Sequence, residues 1–264
     1  MKNIGIIGAG NIGLSLARLF VKNGYENQLI LSDINKDLRI MNTGLWISDN
    51  KRLIQRSDVI FIAVKPTQVK SVLKDIDTMK NDQDKLIVST AAATSLKYIE
   101  KNLEPLDYPI VRIMPNLPIE LGCGTITYYA NKHVNVDSLL YLTNILKGPF
   151  LLKVRNEKLL NVSTILTASM PAFISFVADE YIKFGIAEGF TKEEATKLYV
   201  ETLRGTGELL SNSCGSKDEI IRRVATPNGV TEQGLLKLAN HKSAFGSSAY
   251  ASFRYLESIK KKLD

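Results

Sequence analysis

Short apolar runs alternate with amphipathic segments over the first part of the chain. The runs are rich in Ile, Leu and Val and fall at residues 3–7, 28–31, 59–64, 86–89 and 110–113. Such runs are typical of parallel strands whose two faces are both covered by helices. Between the first two runs, Ile12, Leu16 and Leu19 share one face of a predicted helix. The repeated order of strand and helix predicts an α/β fold, an N-terminal Rossmann doubly wound parallel sheet.

The pattern becomes helical after about residue 154. Residues 156–188 have helical periodicity, and Pro171 should kink or restart that helix. Thr191 and Glu194 have the spacing of a capping box, which predicts another helix start. Further helical stretches fall at 192–210, 217–224, 231–239 and 243–262. The chain is therefore predicted to have two domains, residues 1–155 and residues 156–264.

Composition and charge narrow the class of protein. Hydrophobic residues make up 45% of the 264 residues and charged residues 23%, which is typical of a globular chain. The net charge is +7, but the cations are scattered and the densest basic run is only residues 260–262. Nucleic-acid binding requires basic residues clustered on one face, so we do not expect it. The excess of positive charge favours small anionic ligands.

The spacing of the cysteines and the length of the apolar runs predict where in the cell the protein is found. Cys123 and Cys214 are far apart and lack metal-ligand spacing, so we expect no disulfide, no zinc and no metal site. Glycines interrupt the apolar first ten residues, which favours a strand and turn over a signal peptide. No apolar run is expected to approach the length of a membrane span. These features predict a cytoplasmic protein without membrane contact.

The sharpest local motif is a glycine-rich turn directly after the first predicted strand. Gly8, Gly10 and Gly13 form a GxGxxG pattern that also contains Asn11 and Ile12. Glycines there allow a tight turn, close approach of the backbone to a pyrophosphate, and helix–strand packing. The helix that follows presents free N–H groups to phosphates. The motif predicts a dinucleotide site.

The second predicted strand ends at Ser32 and Asp33, the spacing expected for the acid that binds the adenine ribose. A carboxylate there favours NAD, because it would repel the 2′-phosphate of NADP. Lys36 is close, so NADP stays open. Later strand ends should also border the cofactor cleft. The expected cofactor contacts from these strand ends are Val64, Lys65, Pro66, Ala91, Ala92 and Asn116.

Several motifs together resemble one enzyme family. The segments in question are 8–13 (GAGNIG), 63–66 (AVKP), 89–93 (STAAA), 112–116 (RIMPN), 168–173 (ASMPAF) and 224–231 (VATPNGVT). Their order and spacing are similar to those of pyrroline-5-carboxylate reductases over essentially the whole chain. The resemblance implies hydride transfer from NAD(P)H to the C=N bond of a small cyclic imine that carries a carboxylate, giving proline in amino-acid biosynthesis. It also implies a homo-oligomer built on a dimer of the all-α C-terminal half, with the site formed where helices of two subunits meet.

The same resemblance assigns the substrate loop. It implies that Thr226, Asn228, Gly229, Val230 and Thr231 hold the substrate carboxylate by hydroxyls and backbone amides, with Ser169 and Met170 nearby. A turn that leads into a helix N-terminus suits a carboxylate on physical grounds. We expect Thr231 and Thr226 to be the catalytic hydroxyls, with Thr231 bonded to the ring nitrogen.

Three departures from the family pattern leave the substrate open. Met170 replaces a glycine, Asn228 replaces another glycine, and Leu117 stands where a threonine is common. The alternatives are a paralogue for another cyclic imine, a β-hydroxyacid dehydrogenase that uses Lys158, or a non-catalytic NAD(P)-binding regulator. His133 and His241 have no evident acidic partner and are interpreted as surface residues.

Overall fold

The computed structural model describes residues 2–35, 46–47, 49–78, 85–211 and 216–263. Lys36 and Cys214 lie outside these residues. The chain divides into two compact units, residues 1–169 with 252–264, and residues 170–251. A compact unit is not by itself a domain that folds alone, so the division at residue 155 stays a prediction.

The first unit is built on an eight-stranded sheet with the order β3-β2-β1-β4-β5-β6-β7-β8. Its strands are β1 Ile4–Ile7, β2 Leu29–Ser32, β3 Trp46–Ile47, β4 Val59–Ile62, β5 Leu86–Ser89, β6 Ile110–Pro115, β7 Thr125–Ala130 and β8 Phe150–Lys153. All neighbouring strands are parallel except β6 and β7. The predicted doubly wound sheet is confirmed, with the correction that it is mostly rather than wholly parallel.

The antiparallel pair follows from the short link between β6 and β7. Residues 116–124 contain only a 3₁₀ helix, Leu117–Leu121, whereas a parallel crossover needs a dozen residues or more. A direct return therefore makes β7 antiparallel to β6. The sequence analysis missed β3, β7 and β8. The β7 segment mixes Thr and Tyr with Ile, and most of β8 is exposed. Neither segment therefore has the pattern of a buried apolar strand.

Helices cover both faces of the sheet. They are α1 Asn11–Lys22, α2 Asn50–Arg56, α3 Val69–Asp77, α4 Leu96–Lys101, α5 Val136–Ile145 and α6 Glu157–Ser163. One core cluster packs Leu16 and Phe20 of α1 against Ile4 and Ile6 of β1. The other core cluster contains Ile7 of the same strand. Successive strand side chains point to opposite faces, so a strand buried on both faces must be apolar throughout.

The second unit is helical throughout the part that the structure describes. It contains α7 Met170–Ala187, α8 Lys192–Ser211, α9 Lys217–Val224, α10 Val230–Ala239 and the start of α11 Lys242–Leu263. The predicted capping box is confirmed, because Glu194 N–H donates to Thr191 Oγ1 at 3.2 Å and Glu194 Oε2 accepts from Thr191 N–H at 2.9 Å. This bond to Thr191 holds the pKa of Glu194 below its usual value.

The predicted interruption at Pro171 takes the form of a π-turn. Residues Thr164–Ala168 are π-helical, Ser169 N–H donates to Thr164 O at 2.9 Å, and α7 begins at Met170. Proline has no N–H, so the carbonyl of Thr167 lacks its regular α-helical donor. The helix therefore restarts, as the sequence predicted.

One helical run is longer and more apolar than the sequence analysis expected of any segment. Residues Glu157–Ala187 form a run of 31 residues that is long and apolar enough to cross a membrane, by length and composition only. The expectation that no run approaches that length is therefore wrong. The core helix of a soluble protein passes the same test. Many large apolar side chains of the second unit are exposed, among them Phe176, Tyr181, Phe184, Phe190, Leu198 and Tyr250.

Candidate active site

The glycine-rich turn is shaped by two close approaches of the backbone. Gly8 has φ +98°, and a Cβ there would lie 2.8 Å from the carbonyl carbon and oxygen of Ala63. A Cβ at Gly13 would lie 1.9 Å from the Gly8 carbonyl oxygen. The Gly8 N–H donates to the Ser32 carbonyl at 2.8 Å, which ties the turn to the end of β2. The protein's own packing therefore requires both glycines.

Gly10 is different, because nothing in its surroundings requires a glycine. A Cβ there would meet no atom within 4 Å, and its φ of −72° suits any L-residue. Gly10 is the N-cap of α1 and makes no side-chain capping bond to the first amides of that helix. Asn11 is exposed and Ile12 is half-buried in the same first turn. Uncapped amides beside open space suit the pyrophosphate of a dinucleotide, so these residues fit the predicted cofactor.

Asp33 holds the glycine turn from the neighbouring strand. Its Oδ2 accepts from the Ala9 N–H at 2.6 Å, and its Oδ1 accepts from the Asn35 N–H at 2.7 Å. A carboxylate has further lone pairs, so these bonds leave capacity for a ribose hydroxyl. Ser32 Oγ donates to Asn50 Oδ1 at 2.7 Å, and Asn50 Nδ2 donates to Asp75 Oδ2 at 2.8 Å. The polar groups beside the turn are thus fixed before any ligand binds.

A cleft of about 650 Å³ joins these groups. Its lining includes Gly8, Gly10, Ser32, Asp33, Asn50, Val64, Lys65 and Gln68. The volume lies within the range of cofactor and ligand pockets. Lys65 is the one cation in the lining that the structure describes, and Pro66 begins the 3₁₀ helix Pro66–Gln68 next to it. The cleft therefore brings together six of the predicted cofactor residues, which are Gly8, Gly10, Ser32, Asp33, Val64 and Lys65.

The loop after β5 contains the next predicted contacts. Ala91 is buried, and its N–H donates to Ser89 Oγ at 3.3 Å. Ala92 is half-buried, and Ala93 has φ +63°, a left-handed conformation that is uncommon for a residue with a Cβ. A chain forced into this conformation must be held by its surroundings.

Asn116, at the end of β6, has its side chain engaged within the protein. Its Oδ1 accepts from the Thr125 N–H at 2.9 Å, and its Nδ2 donates to the Thr167 carbonyl at 3.4 Å. Thr167 is the residue that Pro171 leaves without an α-helical donor. Asn116 thus links the start of β7 to the π-turn. Its predicted role as a cofactor contact stays a prediction.

Arg112 is a residue that the sequence analysis did not single out for chemistry. It lies in the middle of β6, is 1% exposed, and its Nη1 donates to Glu157 Oε1 at 2.7 Å. The same guanidinium lies 3.4 Å from Asn161 Oδ1 and 3.3 Å from the Ala91 carbonyl. An arginine inside an otherwise apolar run was the available signal, because a buried charge requires a partner.

The predicted substrate loop lies in the second unit. Asn228 has φ +61°, the left-handed conformation for which asparagine is a tolerated substitute for glycine. Its N–H donates to Glu232 Oε2 at 2.8 Å. A Cβ at Gly229 would lie 2.4 Å from Thr226 Oγ1, and Gly229 is the N-cap of α10 without a side-chain cap. The loop therefore leads into a helix whose first amides are uncapped, as the sequence implied.

The hydroxyls and flanking residues of that region differ in exposure. Thr226 and Val230 are exposed, and Thr231 is half-buried in the first turn of α10. Ser169, directly before α7, and Met170, the first residue of α7, are both half-buried. Each of these residues is therefore partly open to a ligand. Their assigned roles stay predictions.

The rival chemistries receive little support from their surroundings. A β-hydroxyacid dehydrogenase would use Lys158 together with Asn161, which have the Lys-x-x-Asn spacing of that class. Lys158 is exposed, whereas Asn161 is 3% exposed and bonded to Arg112, so the two do not share one environment. His133 Nε2 lies 3.4 Å from Asp107 Oδ1, so the expectation that it has no acidic partner is wrong. The described residues contain no group of three or more His, Cys, Asp or Glu side chains that could hold a metal ion.

Two protein-family models match separate parts of the chain. A family model described as pyrroline-5-carboxylate reductase dimerisation matches residues 157–254. A second family model, described as NADP oxidoreductase, coenzyme F420-dependent, matches residues 3–93. The matched regions contain the predicted substrate loop and the glycine-rich turn, respectively.

Individual relatives match over nearly the whole chain. The pyrroline-5-carboxylate reductase of Aquifex aeolicus is 31% identical over 235 residues, which cover 88% of this chain and 87% of the relative. The pyrroline-5-carboxylate reductase of Synechocystis is 28% identical, with 98% of both chains covered. The crystal structure of Plasmodium falciparum pyrroline carboxylate reductase with NADP bound superposes with a TM-score of 0.88 at 25% identity, covering 99% of this chain and 98% of that one. The chain therefore belongs to the pyrroline-5-carboxylate reductase family.

Proposed function

We propose that the protein reduces the C=N bond of 1-pyrroline-5-carboxylate to give L-proline. The observation that carries this proposal is Gly10, a glycine that the protein's own packing does not need, placed beside uncapped α1 amides. The family membership supplies the substrate class. The reaction is that of an NAD(P)-dependent oxidoreductase acting on a C=N bond.

The cofactor is held by the first unit. When bound, a reduced nicotinamide dinucleotide supplies the hydride that is added to the imine carbon. The amides at Gly10, Asn11 and Ile12 bind its pyrophosphate, and Asp33 accepts from the adenine ribose. Ala91 and Ala92 present backbone and small side chains to the nicotinamide ring. Positioning of this kind accelerates a reaction without any strong acid or base.

The substrate is held by the loop at residues 226–231. The Gly229 N–H already donates to the Thr226 carbonyl at 2.9 Å. The Thr226 hydroxyl and the Val230 amide therefore bind the carboxylate, as the uncapped start of α10 favours. Solvent protonates the imine, and the iminium that results is already electrophilic. Its ring N–H donates a hydrogen bond to Thr231 Oγ1, so the threonine needs only to orient the ring.

For the cofactor we favour NAD over NADP. Asp33 lies in the cleft at the end of β2, and Lys65 is the single described cation in its lining. A carboxylate at that position repels a 2′-phosphate. The solved relative from Plasmodium falciparum has NADP bound, so both cofactors must be measured.

For the assembly we propose a homodimer formed by residues 156–264, the predicted dimerisation and substrate domain. Support comes from the match to a dimerisation model at 157–254 and from the exposed apolar side chains of the second unit. Exposed apolar surface on this scale marks an interaction site. The exposed apolar side chains of α7 are then buried between subunits rather than in lipid. A cytoplasmic location and a place in proline biosynthesis follow from this proposal.

The primary test is the oxidation of NADH and of NADPH by the purified protein, with and without pyrroline-5-carboxylate. Rapid oxidation that requires the imine is the expected result, with proline as the product and NADH as the better donor. Cofactor binding without imine-dependent oxidation would overturn the proposal. Faster turnover with NADPH would overturn only the choice of NAD.

Substitution of Thr231 tests the substrate loop. We expect Thr231→Ala to lower kcat/KM by roughly tenfold to a hundredfold, because a hydrogen bond to a charged group is lost. The cofactor Kd should stay unchanged and Thr231→Ser should retain activity. The matched control is Thr196→Ala, whose hydroxyl only donates to the Lys192 carbonyl. Unchanged turnover in Thr231→Ala would remove the residue from the mechanism.

A further inference from the structure

The loop between β5 and α4 is held at both of its ends by one ion pair, in which Arg112 is buried and Glu157 is 24% exposed. At its start, Arg112 Nη2 donates to the Ala91 carbonyl at 3.3 Å. At its end, Glu157 Oε1 accepts from the Leu96 N–H at 2.6 Å. The same Glu157 oxygen accepts from Arg112 Nη1 at 2.7 Å. The pair therefore fixes the distance between the two ends of the loop.

The loop between these two bonds has a conformation that needs such support. Ala93 has φ +63° and is 1% exposed. A left-handed conformation is unfavourable for a residue with a Cβ and persists only where the surroundings hold it. Ser95 Oγ also accepts from the Tyr98 N–H at 3.1 Å, which fixes the start of α4. The held segment therefore runs from Ala91 to the first turn of that helix.

Stability alone does not account for a charge at this place. Arg112 lies in β6 between Val111 and Ile113, which are 0% and 1% exposed. A buried ion pair is often no more stabilising than apolar side chains of similar volume. The ion pair instead fixes the geometry of its hydrogen bonds, because a planar guanidinium donates only in a few fixed directions.

We propose that Arg112 and Glu157 are positioning residues that hold the Ala91–Ala92 segment at the geometry required for hydride transfer. The proposal rests on the proposed function, in which this segment contacts the nicotinamide. Neither residue touches the substrate. Both act through the backbone of the loop that they clamp.

The experiment compares two variants for which stability and turnover are expected to change in opposite directions. Glu157→Gln keeps an oxygen that accepts from Arg112 and Leu96, but it leaves the buried arginine without a counter-charge. The double variant Arg112→Met with Glu157→Gln has no buried charge and also no donor to the Ala91 carbonyl. We expect the first to be the less stable but to keep kcat within about threefold of the wild-type value. We expect the second to be the more stable but to lose roughly a hundredfold in kcat, the scale of a misplaced reacting group.

Two further measurements separate positioning from a general loss of structure. In the double variant, the primary isotope effect with cofactor deuterated at C4 should rise while the cofactor Kd stays within about threefold. Hydrogen exchange at the amides of residues 91–96 should accelerate, measured without any cofactor. The control is Lys85→Met, because Lys85 is a buried cation that donates to the Ser57 carbonyl at the amino ends of the strands.

Wild-type kcat and unchanged exchange in the double variant would overturn the inference. Activity that simply follows stability across the variants would also overturn it. If the wild-type enzyme shows no imine-dependent oxidation, the proposed function fails instead. The exchange measurement then still decides whether the pair holds the loop.

Discussion

At the scale of single residues, the three glycines of the glycine-rich turn differ in what requires a residue without a side chain. Gly8 and Gly13 are required by contacts within the chain, since an added Cβ would lie 2.8 Å and 1.9 Å from backbone atoms. Gly10 has open space around it. The motif alone predicted all three and could not separate these roles, because the distances join residues of different elements.

Substitution of the glycines separates folding from cofactor binding. We expect Gly10→Ala to keep the wild-type Tm and to raise the Kd for the dinucleotide about tenfold or more, equivalent to roughly 1.4 kcal/mol. Gly13→Ala should lower the Tm as well, because the backbone must move. Thermal unfolding and fluorescence titration with cofactor check both. An unchanged Kd in Gly10→Ala would contradict the assignment of that space to the cofactor.

The raised pKa of Tyr141 predicts that the free energy of unfolding falls at alkaline pH. Burial raises its pKa to about 12, and nearby Tyr25 and Asp58 contribute to the rise. The neutral phenol, which donates to the Lys2 carbonyl at 3.3 Å, is favoured in the folded state. The contribution is therefore fully present below the unfolded pKa of about 10 and is lost as the pH rises from about 10 toward 12.

The Tyr141→Phe variant isolates this contribution. Phenylalanine does not titrate, so the free energy of unfolding of the wild-type protein should fall more steeply than that of the variant above about pH 10. Urea unfolding of both proteins at a series of pH values measures the difference. A constant gap between the two proteins across that range would contradict the prediction.

At the scale of elements, the helix that follows β8 is shaped by a residue far from it in the chain. Pro171 removes the regular donor to the Thr167 carbonyl, and Asn116 Nδ2 supplies another at 3.4 Å. The sequence predicted a break in the helix at Pro171. It could not predict the π-turn or its hydrogen bond to Asn116, because Asn116 reaches the helix only through the packing of β6 against it.

A double-mutant cycle tests whether Asn116 replaces the missing donor. We expect Asn116→Ala to destabilise the wild-type protein more than it destabilises Pro171→Ala, in which the new N–H can serve Thr167. The coupling should be about 0.5–1.5 kcal/mol, the net value of one hydrogen bond. Denaturant unfolding at a fixed protein concentration measures it. Strict additivity would show that the two positions are independent.

At the scale of the whole molecule, the two units have different cores. The sheet of the first unit has buried clusters on both faces, whereas α7 has no buried residue and α8 has only Ala195 buried. Large exposed apolar surface on a folded unit marks an interaction site, as the proposed homodimer expects. The helical pattern predicted the elements of this unit, but which of their faces stay exposed in one chain is a property of the packing.

Charge placed on that surface should disrupt the assembly. We expect Phe184→Glu and Leu198→Glu, at positions that are 64% and 54% exposed, to give monomers that have lost most of their activity. A buried carboxylate without a partner is costly at an interface. Lys192→Glu on the same unit is the control for added negative charge. Light scattering and imine-dependent turnover measure the two effects, and an unchanged oligomer would contradict the proposed interface.

The sequence by itself determined the doubly wound sheet, the helical second half and the glycine-rich turn. Each of these depends on local periodicity or on the covalent properties of glycine and proline, which are visible in a short segment. Only the tertiary structure decided the antiparallel β7, the bonds of Asn116, and the pair of Arg112 with Glu157. The last two residues are 45 positions apart. They come into contact because β6 packs against α6, and no pattern in a short segment of sequence can predict a contact between residues so far apart in the chain.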